Sequence, residues 1–277
     1  MHRITLASLL LLSSQAMSQC PQLEGNLIQG GLIWGEAPVG SAVTLDGQSL
    51  DVLEDGTFVA AFGRDAPTAS ELVITGPRPC TQALEIKSRQ YRISRVEGVP
   101  QQTVTPSEEH LERIRRERAL VGAAKSQRLQ RPDLLQNALA GFEWPAKGRV
   151  SGVYGSQRIY NGTPKNPHYG VDVAVPTGTP VYAPTAGVIT LAEPDLFYSG
   201  GTVILDHGYG LSSSFLHMSK VHVAVGQEIR TGDLIGEVGA TGRATGPHLD
   251  WRMSWRRERV DPQLLVPPMP EPASSGG

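Results

Sequence analysis

The hydrophobic residues of this 277-residue chain fall mainly into short runs that glycine, proline and aspartate separate. Between residues 21 and 99 the runs recur about every ten residues, with turn signals such as Asp46-Gly47 and Asp55-Gly56. This spacing predicts a small β-sandwich, immunoglobulin-like in outline, over residues 19–100. The predicted strands are Leu27–Ile28, Gly31–Trp34, Ala42–Leu45, Leu50–Leu53, Thr57–Ala60, Glu71–Ile74 and Ala83–Ile86.

In residues 101–141 the spacing of apolar residues changes to that of a helix, and we interpret this segment as a helical linker. Thr105-Pro-Ser-Glu108 has the pattern of a capping box and predicts a helix that runs to about Arg128. Its many arginines alternate with glutamates, which favours a solvated, salt-bridged helix over a surface for anionic polymers. A second short helix is predicted over Pro132–Leu139.

Strand signals return in residues 142–266 and predict a mostly antiparallel sheet with long loops. The segment Gln157–Pro167 is rich in asparagine, glycine and proline, and we expect it to form one wall of a groove. Residues 267–277 have the composition of a disordered tail. The predicted strands are Arg149–Tyr154, Tyr169–Val175, Pro180–Ala183, Gly187–Leu191, Thr202–Asp206, Ser213–Met218 and Leu249–Trp255. The fold class is therefore mainly β.

Composition narrows the class of protein. The net charge is −2 and 19% of residues are charged, so the basic excess of a nucleic-acid-binding protein is missing and no nucleic-acid partner is expected. Residues 1–18 resemble a signal peptide, because the apolar run Ile4–Leu12 is far shorter than the ~20 residues that span a bilayer. An uncleaved anchor is the alternative. We expect a periplasmic or secreted mature chain without a transmembrane segment.

Cys20 and Cys80 are the two cysteines of the chain. An even number in an exported protein predicts a disulfide, and the alternative is two unrelated thiols. Gln19 precedes Cys20 where a lipid-attachment site would have a small residue, which argues against a lipoprotein. The bond would close the predicted sandwich domain.

Two short segments carry residues that could bind a metal. His168 and Asp172 are four residues apart, and His248 and Asp250 two apart, so in strands each pair would lie on one face. The alternate residues of each segment are apolar and would point into a core. They are Val171 and Val173 in the first segment and Leu249, Trp251 and Met253 in the second. Imidazole and carboxylate are the usual ligands of a catalytic zinc, which keeps one position for water.

Four ordered motifs resemble the lysostaphin-type (LytM-type) zinc endopeptidase family over roughly residues 142–265. They are His168–Asp172, Gly187–Thr190, Ser214–Ser219 and Ala240–Asp250. The resemblance implies a C-terminal lysostaphin-type antiparallel β-sheet peptidase domain that binds one zinc ion and hydrolyses peptide bonds of peptidoglycan.

The resemblance also implies roles for individual residues. His168 and Asp172 correspond to zinc ligands, and His217 and His248 to the histidines that assist catalysis. Asp250 stands where the family has a histidine as its third ligand. Aspartate can bind zinc, but two carboxylates would neutralise the dication, raise the pKa of its water and favour harder metals.

Asp250 leaves two hypotheses open. The first is an exported zinc metalloendopeptidase in which His217 or His248 takes a proton from the activated water and the other supports the oxyanion or the leaving amine. The second is a catalytically degenerate domain that regulates other cell-wall hydrolases through a protein partner. The N-terminal domain would act as a binding, spacer or regulatory module in either case. His207 lies in a turn-like segment, and we expect a structural or supporting role for it.

Overall fold

The computed structural model describes residues 19–98 and 108–270. The predicted signal peptide, the capping residues Thr105–Ser107 and the end of the predicted tail lie outside the described residues. The protein is mainly β, as predicted. Within the described ranges we find no helix that is long and apolar enough to cross a membrane.

The N-terminal part contains two small antiparallel sheets, with strand orders β1-β2-β5 and β4-β3-β6-β7. Side chains from both sheets, such as Ile33, Phe58 and Leu72, are fully buried in the hydrophobic core. The strands are β1 (Glu24–Gly25), β2 (Leu32–Glu36), β3 (Ala42–Leu45), β4 (Gln48–Ser49), β5 (Thr57–Ala61), β6 (Ala69–Thr75) and β7 (Cys80–Glu85). Two sheets of three and four strands are compatible with a sandwich. The immunoglobulin-like outline and the domain boundaries stay predictions.

Two of the predicted N-terminal strands are wrong. Leu50–Leu53 forms only an isolated bridge from Val52 to Phe58, and Leu27–Ile28 only one from Ile28 to Lys87. Leu50 and Leu53 are nevertheless buried. These leucines are buried although they lie in a loop. An apolar run in the sequence is compatible with either a buried loop or a strand.

Cys20 and Cys80 form the predicted disulfide, with 5.5 Å between their Cα atoms. The bond ties the start of the described chain to the first residue of β7. Its sequence separation of 60 residues corresponds to a stabilisation of about 4 kcal/mol in the chain-entropy model. A disulfide is consistent with an exported protein.

Helices α1 (Glu108–Ser126) and α2 (Pro132–Ala140) form the segment predicted as a linker. Pro132 begins α2, where its missing N–H costs nothing. Helix α1 carries the predicted salt bridge between Arg113 and Glu117. One face of α1 also packs on the large sheet, where Ala124 is buried with Leu191, Leu196 and Ile204, so the predicted solvated helix is only partly exposed.

The C-terminal part is built on an eight-stranded antiparallel sheet of order β18-β14-β15-β16-β20-β12-β9, with β21 paired to β20. Its strands are β9 (Arg149–Gly152), β12 (Val171–Ala174), β14 (Gly187–Leu196), β15 (Gly200–Asp206), β16 (Leu211–Met218), β18 (Glu228–Ile229), β20 (Leu249–Trp255) and β21 (Glu258–Val260). The antiparallel prediction is confirmed. A short 3₁₀ helix, Pro262–Leu264, follows.

Two three-stranded sheets flank the large one, with orders β11-β10-β8 and β13-β19-β17. Their strands are β8 (Ile93–Val96), β10 (Gln157–Tyr160), β11 (Thr163–Pro164), β13 (Pro180–Tyr182), β17 (Lys220–Val221) and β19 (Leu234–Glu237). The segment Gln157–Pro167, expected to form one wall of a groove, contains a hairpin, and its first strand pairs in parallel with β8. Pairing with a strand distant in sequence overrides the local turn composition.

The two faces of the large sheet differ in character. Leu249, Trp251 and Met253 of β20 are buried in the core, as their alternation predicts. The intervening residues of β20 lie on the other face, where Asp250 is the register partner of Asp172 on β12 and of Leu216 on β16. The sheet therefore sets the two predicted carboxylate ligands side by side.

Candidate metal centre

The three residues predicted to bind zinc come together. One potential ligand atom from each of His168, Asp172 and Asp250 lies within 4.8 Å of the others. The two aspartates reach this position as register partners on adjacent strands. His168 is not in a strand, in contrast to the prediction, because β12 begins only at Val171.

A loop holds His168 instead. Its backbone N–H donates to Ser156 O at 2.8 Å, and its carbonyl accepts from the N–H of Gly155 at 2.7 Å. The ring Nδ1 lies 3.3 Å from Val153 O. A carbonyl can only accept, so Nδ1 donates to it, and Nε2 is the ring nitrogen that faces the carboxylates. Nε2 is therefore the atom of His168 that a metal would take as its ligand.

The facing atoms of this group lack hydrogen-bond partners. His168 Nε2 lies 3.0 Å from Asp172 Oδ1 and 3.5 Å from Asp250 Oδ1. Both Nε2 and Asp172 Oδ1 are buried, yet neither makes an aligned hydrogen bond. Burying polar atoms without a partner is costly, and a cation between them would satisfy both. The donor set, one imidazole nitrogen and carboxylate oxygens, suits zinc.

Two glycines provide room for the carboxylates, because a larger residue at either position would overlap with them. A Cβ atom on Gly152 would lie 2.1 Å from Asp172 Oδ2, and one on Gly170 would lie 2.7 Å from Asp250 Oδ1. Burial disfavours the charged form of His168, but the facing carboxylates of Asp172 and Asp250 outweigh it and raise its pKa to about 10. The group therefore attracts positive charge, and the residues present fit a divalent metal.

Arg252 is a part of the site whose role sequence reasoning missed. Its guanidinium holds Asp250 at both oxygens, with Nε 3.0 Å from Oδ1 and Nη2 2.5 Å from Oδ2. Burial raises the pKa of Asp250, but the charge of Arg252 outweighs it and holds that pKa well below its usual range. The alternation of side chains along β20 places Arg252 on the same face as Asp250, and this pattern in the sequence could have predicted their contact.

This ion pair changes the charge expected for the site. The two carboxylates contribute −2 and Arg252 contributes +1, so the four side chains sum to −1 when His168 is neutral. That is the charge of a set with two histidines and one aspartate, the pattern of the resembled family. The predicted neutralisation of the dication by two carboxylates is therefore offset by Arg252.

The two predicted catalytic histidines are neighbours beside this group. The ring centroids of His217 and His248 are 4.8 Å apart. Nδ1 of His217 donates to Thr241 O at 2.9 Å, and Nδ1 of His248 donates to Gly246 O at 2.8 Å. In the neutral form of each ring, Nε2 is therefore the nitrogen without a proton. His248 Nε2 lies 4.0 Å from Asp172 Oδ1, which places it next to the candidate ligands.

The backbone around His217 is unusual. His217 ends the regular part of β16 with φ at 65°, a left-handed conformation that non-glycine residues rarely adopt. The side chain is buried, and burial lowers its pKa. His217 is therefore unprotonated near neutral pH and is available to accept a proton.

His207 lies in the core, away from this group. It is fully buried, with Nδ1 2.8 Å from Ala186 O and Nε2 2.9 Å from Ser213 Oγ. The same Ser213 hydroxyl accepts a hydrogen bond from Trp251 Nε1 at 3.2 Å. His207 thus packs and positions strands of the large sheet, and burial lowers its pKa to about 4.

We expect replacement of His207 by glutamine to destabilise the protein more at pH 7.5 than at pH 4.5. The unfolded chain protonates His207 below pH ~6.5, whereas the folded chain resists protonation down to about 4. Wild type therefore loses up to about 3 kcal/mol from this group as the pH falls through that window, and the variant does not. Urea unfolding of both proteins at the two pH values measures the difference.

Asp206 has the opposite linkage, since burial raises its pKa to about 6. It is present in both proteins, so its contribution cancels in the comparison. A difference in unfolding free energy that stays constant with pH would contradict the buried neutral state of His207.

Comparison with known proteins places this chain among peptidases. Residues 166–262 match the model of peptidase family M23. A solved structure of an M23 peptidase from Pseudomonas aeruginosa is 30% identical, with a TM-score of 0.62 over 86% of this chain and 93% of its own. Peptidoglycan DD-endopeptidase ShyA of Vibrio cholerae is 36% identical over 138 residues, which are 50% of this chain. DD-carboxypeptidase/endopeptidase Mpg of Neisseria meningitidis is 40% identical over 104 residues, or 38% of this chain.

The chain spans only part of these curated relatives, 32% of ShyA and 24% of Mpg. The match to the solved structure, in contrast, extends over nearly the whole of both chains, including the N-terminal part. The resemblance inferred from four motifs is thereby confirmed, and the chain belongs to peptidase family M23.

Proposed function

We propose that this chain is an exported zinc-dependent endopeptidase that hydrolyses peptide bonds in peptidoglycan. The observation that carries the proposal is the cluster of His168, Asp172 and Asp250, whose potential ligand atoms lie within 4.8 Å of one another. The adjoining histidines 217 and 248 strengthen it, because both direct Nδ1 to a backbone carbonyl and leave Nε2 for proton transfer. The disulfide and the signal-like residues 1–18 support export.

His168, Asp172 and Asp250 would hold the zinc ion, which when bound supplies an activated water and polarises the scissile carbonyl. His217 suits the role of general base, since burial lowers its pKa and keeps it unprotonated near pH 7. His248 would then stabilise the oxyanion or protonate the leaving amine. Arg252 keeps the Asp250 carboxylate ionised and fixed by three hydrogen bonds.

The substrate class follows from the relatives. One is named a peptidoglycan DD-endopeptidase and another a DD-carboxypeptidase/endopeptidase. Peptide stems or cross-links of peptidoglycan are therefore the substrates we propose.

Digestion of purified peptidoglycan tests the proposal. We expect the mature protein with zinc to release soluble fragments whose masses show new amine and carboxylate ends. A chelator should stop the release and added zinc should restore it, because the candidate ligands have no other way to activate water. A zinc-loaded, folded protein that releases no fragment from peptidoglycan of several cross-link types would contradict the proposal.

A second function, regulation of other cell-wall hydrolases without cleavage, is favoured by one observation. Arg252 already engages both oxygens of Asp250 and competes with a metal for them. Such a regulator would bind peptidoglycan or a hydrolase but would hold no zinc. Zinc content of the purified protein therefore separates the two functions.

A further inference from the structure

A cavity of about 370 Å³ lies beside His217, between helix α1 and the polar face of the large sheet. Its walls come from distant parts of the chain. Val121 and Lys125 belong to α1, whereas Ser214 and Arg252 belong to β16 and β20. Because His217 lines the cavity and Arg252 binds Asp250, the cavity adjoins the candidate metal centre.

The polar lining of this cavity is strongly cationic. It includes Lys125, Arg243, Arg252 and Arg259, and no aspartate or glutamate is among its described lining residues. The carboxylate of Asp250 offsets part of this positive charge, since it binds Arg252 and also acts on Lys125. Lys125 and Arg259 form no side-chain hydrogen bond or salt bridge with any residue in the ranges 19–98 and 108–270.

The cations also affect one another. Burial, with the charges of Arg259 and Arg252, lowers the pKa of Lys125 to about 7. Burial and the charge of Arg252 likewise lower the pKa of Arg259. Like charges that lie close together repel, and a bound anion would relieve this repulsion.

Ser214 adds a donor to the same cavity. It is only 3% exposed, and its hydroxyl is buried without a hydrogen-bond partner. A buried hydroxyl without a partner is costly unless a ligand or water satisfies it. Apolar walls from Val121, Ile204 and Leu216 complete the cavity. The lining therefore combines cations and a hydroxyl for an anionic group with an apolar surface for an aliphatic one.

We propose that this cavity is a subsite for a carboxylate of the peptide substrate, with Lys125 and Arg259 as its specificity-determining residues. The inference rests on the proposed function, because a peptide bound here would extend to His217 and the scissile bond. Guanidinium and ammonium groups are the usual partners of carboxylates in proteins. Since Lys125 comes from α1, the helical linker supplies part of the specificity of the peptidase.

Binding of a matched pair of probes tests the subsite. We would titrate the purified mature protein with acetyl-alanyl-alanine and with its C-terminal amide, and follow binding and any hydrolysis by NMR. Wild type should bind the acid about tenfold more tightly than the amide, the difference that one favourable charged contact of about 1.4 kcal/mol gives. Lys125→Met and Arg259→Met should each reduce this preference at least threefold.

Arg118→Met is the matched control, because Arg118 is exposed on the same helix. It should keep the preference of wild type, and thermal unfolding should show that all variants are folded. Equal binding of acid and amide by wild type would overturn the subsite. So would inorganic phosphate that binds more tightly than the acid, since the cavity would then be a general anion site.

Cleavage assays separate this inference from the proposed function. Preferential binding of the acid by a protein that cleaves no peptidoglycan would support the subsite and contradict the peptidase. Cleavage of peptidoglycan with equal binding of the two probes would support the peptidase and contradict the subsite.

Discussion

Replacing His168 by alanine is expected to remove the metal and abolish hydrolysis. The mature wild-type protein should contain about one zinc per chain, and the variant should contain almost none. His168 is the single imidazole of the candidate ligand set, and its loss would leave the carboxylates of Asp172 and Asp250 facing a cavity. Elemental analysis of the purified proteins measures the metal, and release of fragments from peptidoglycan measures activity.

His222→Ala is the control for this experiment. His222 is a half-exposed histidine that contacts Glu237, away from the candidate ligands. Its replacement should leave zinc content and activity unchanged. Zinc that stays at the wild-type level in His168→Ala would contradict the assignment of this ligand.

Asp250 allows a sharper test within the same site. Asp250→Asn keeps the shape of the side chain but removes the charge, and should bind zinc more weakly while it leaves Arg252 without its buried counterion. The double variant Asp250→His with Arg252→Gln keeps the total charge of the four side chains at −1 and should bind zinc better than Asp250→Asn. Competition with a chromogenic chelator would rank the affinities of the three proteins.

The sequence was sufficient to predict the elements with a strict period. The alternation of β20 identified both the buried residues and the polar face that carries Asp250. Proline at the start of α2 was an equally direct signal, because its effect is local. The disulfide was predictable for a different reason, since two cysteines allow only one intramolecular pairing. The four motifs then indicated the family, because their order and spacing together are far more specific than any one of them.

The parts that sequence could not predict depend on contacts between distant segments. His168 reaches the aspartates from a loop, because hydrogen bonds to Gly155 and Ser156 hold its backbone. Helix α1 showed a mixed charge pattern, yet one face packs against β14 and β15 through Ala124. The position of Lys125 beside Arg252 follows from this packing, and no local pattern in α1 encodes it.

Two polar contacts also attach helix α1 to the large sheet. Glu117 accepts a hydrogen bond from the backbone N–H of Phe197 at 2.7 Å, and Arg113 binds Asp195 at 3.0 Å. These contacts fix the helix to the end of β14, close to His217. The linker therefore belongs to the surroundings of the candidate active site, as well as connecting the two parts of the chain.

Replacing His217 or His248 by alanine should keep the zinc and lower activity by about 10²–10⁴-fold, the usual contribution of general acid–base catalysis. Both rings lie beside the candidate ligands, yet neither is needed to complete the set of three. Activity on peptidoglycan and elemental analysis of the same preparations would measure the two effects separately. Loss of zinc together with activity would show that the replaced histidine is a ligand.

The pH profile of these variants assigns the general base. A base works only when it is unprotonated, so activity should fall as the pH drops through its pKa. Burial lowers the pKa of His217, which places this fall below the ordinary histidine value of ~6.5. This fall in activity at low pH should therefore persist in His248→Ala and be absent from the residual activity of His217→Ala. If the fall is instead absent only from His248→Ala, the two roles are exchanged. Full activity in either variant would contradict the catalytic assignment of the replaced histidine.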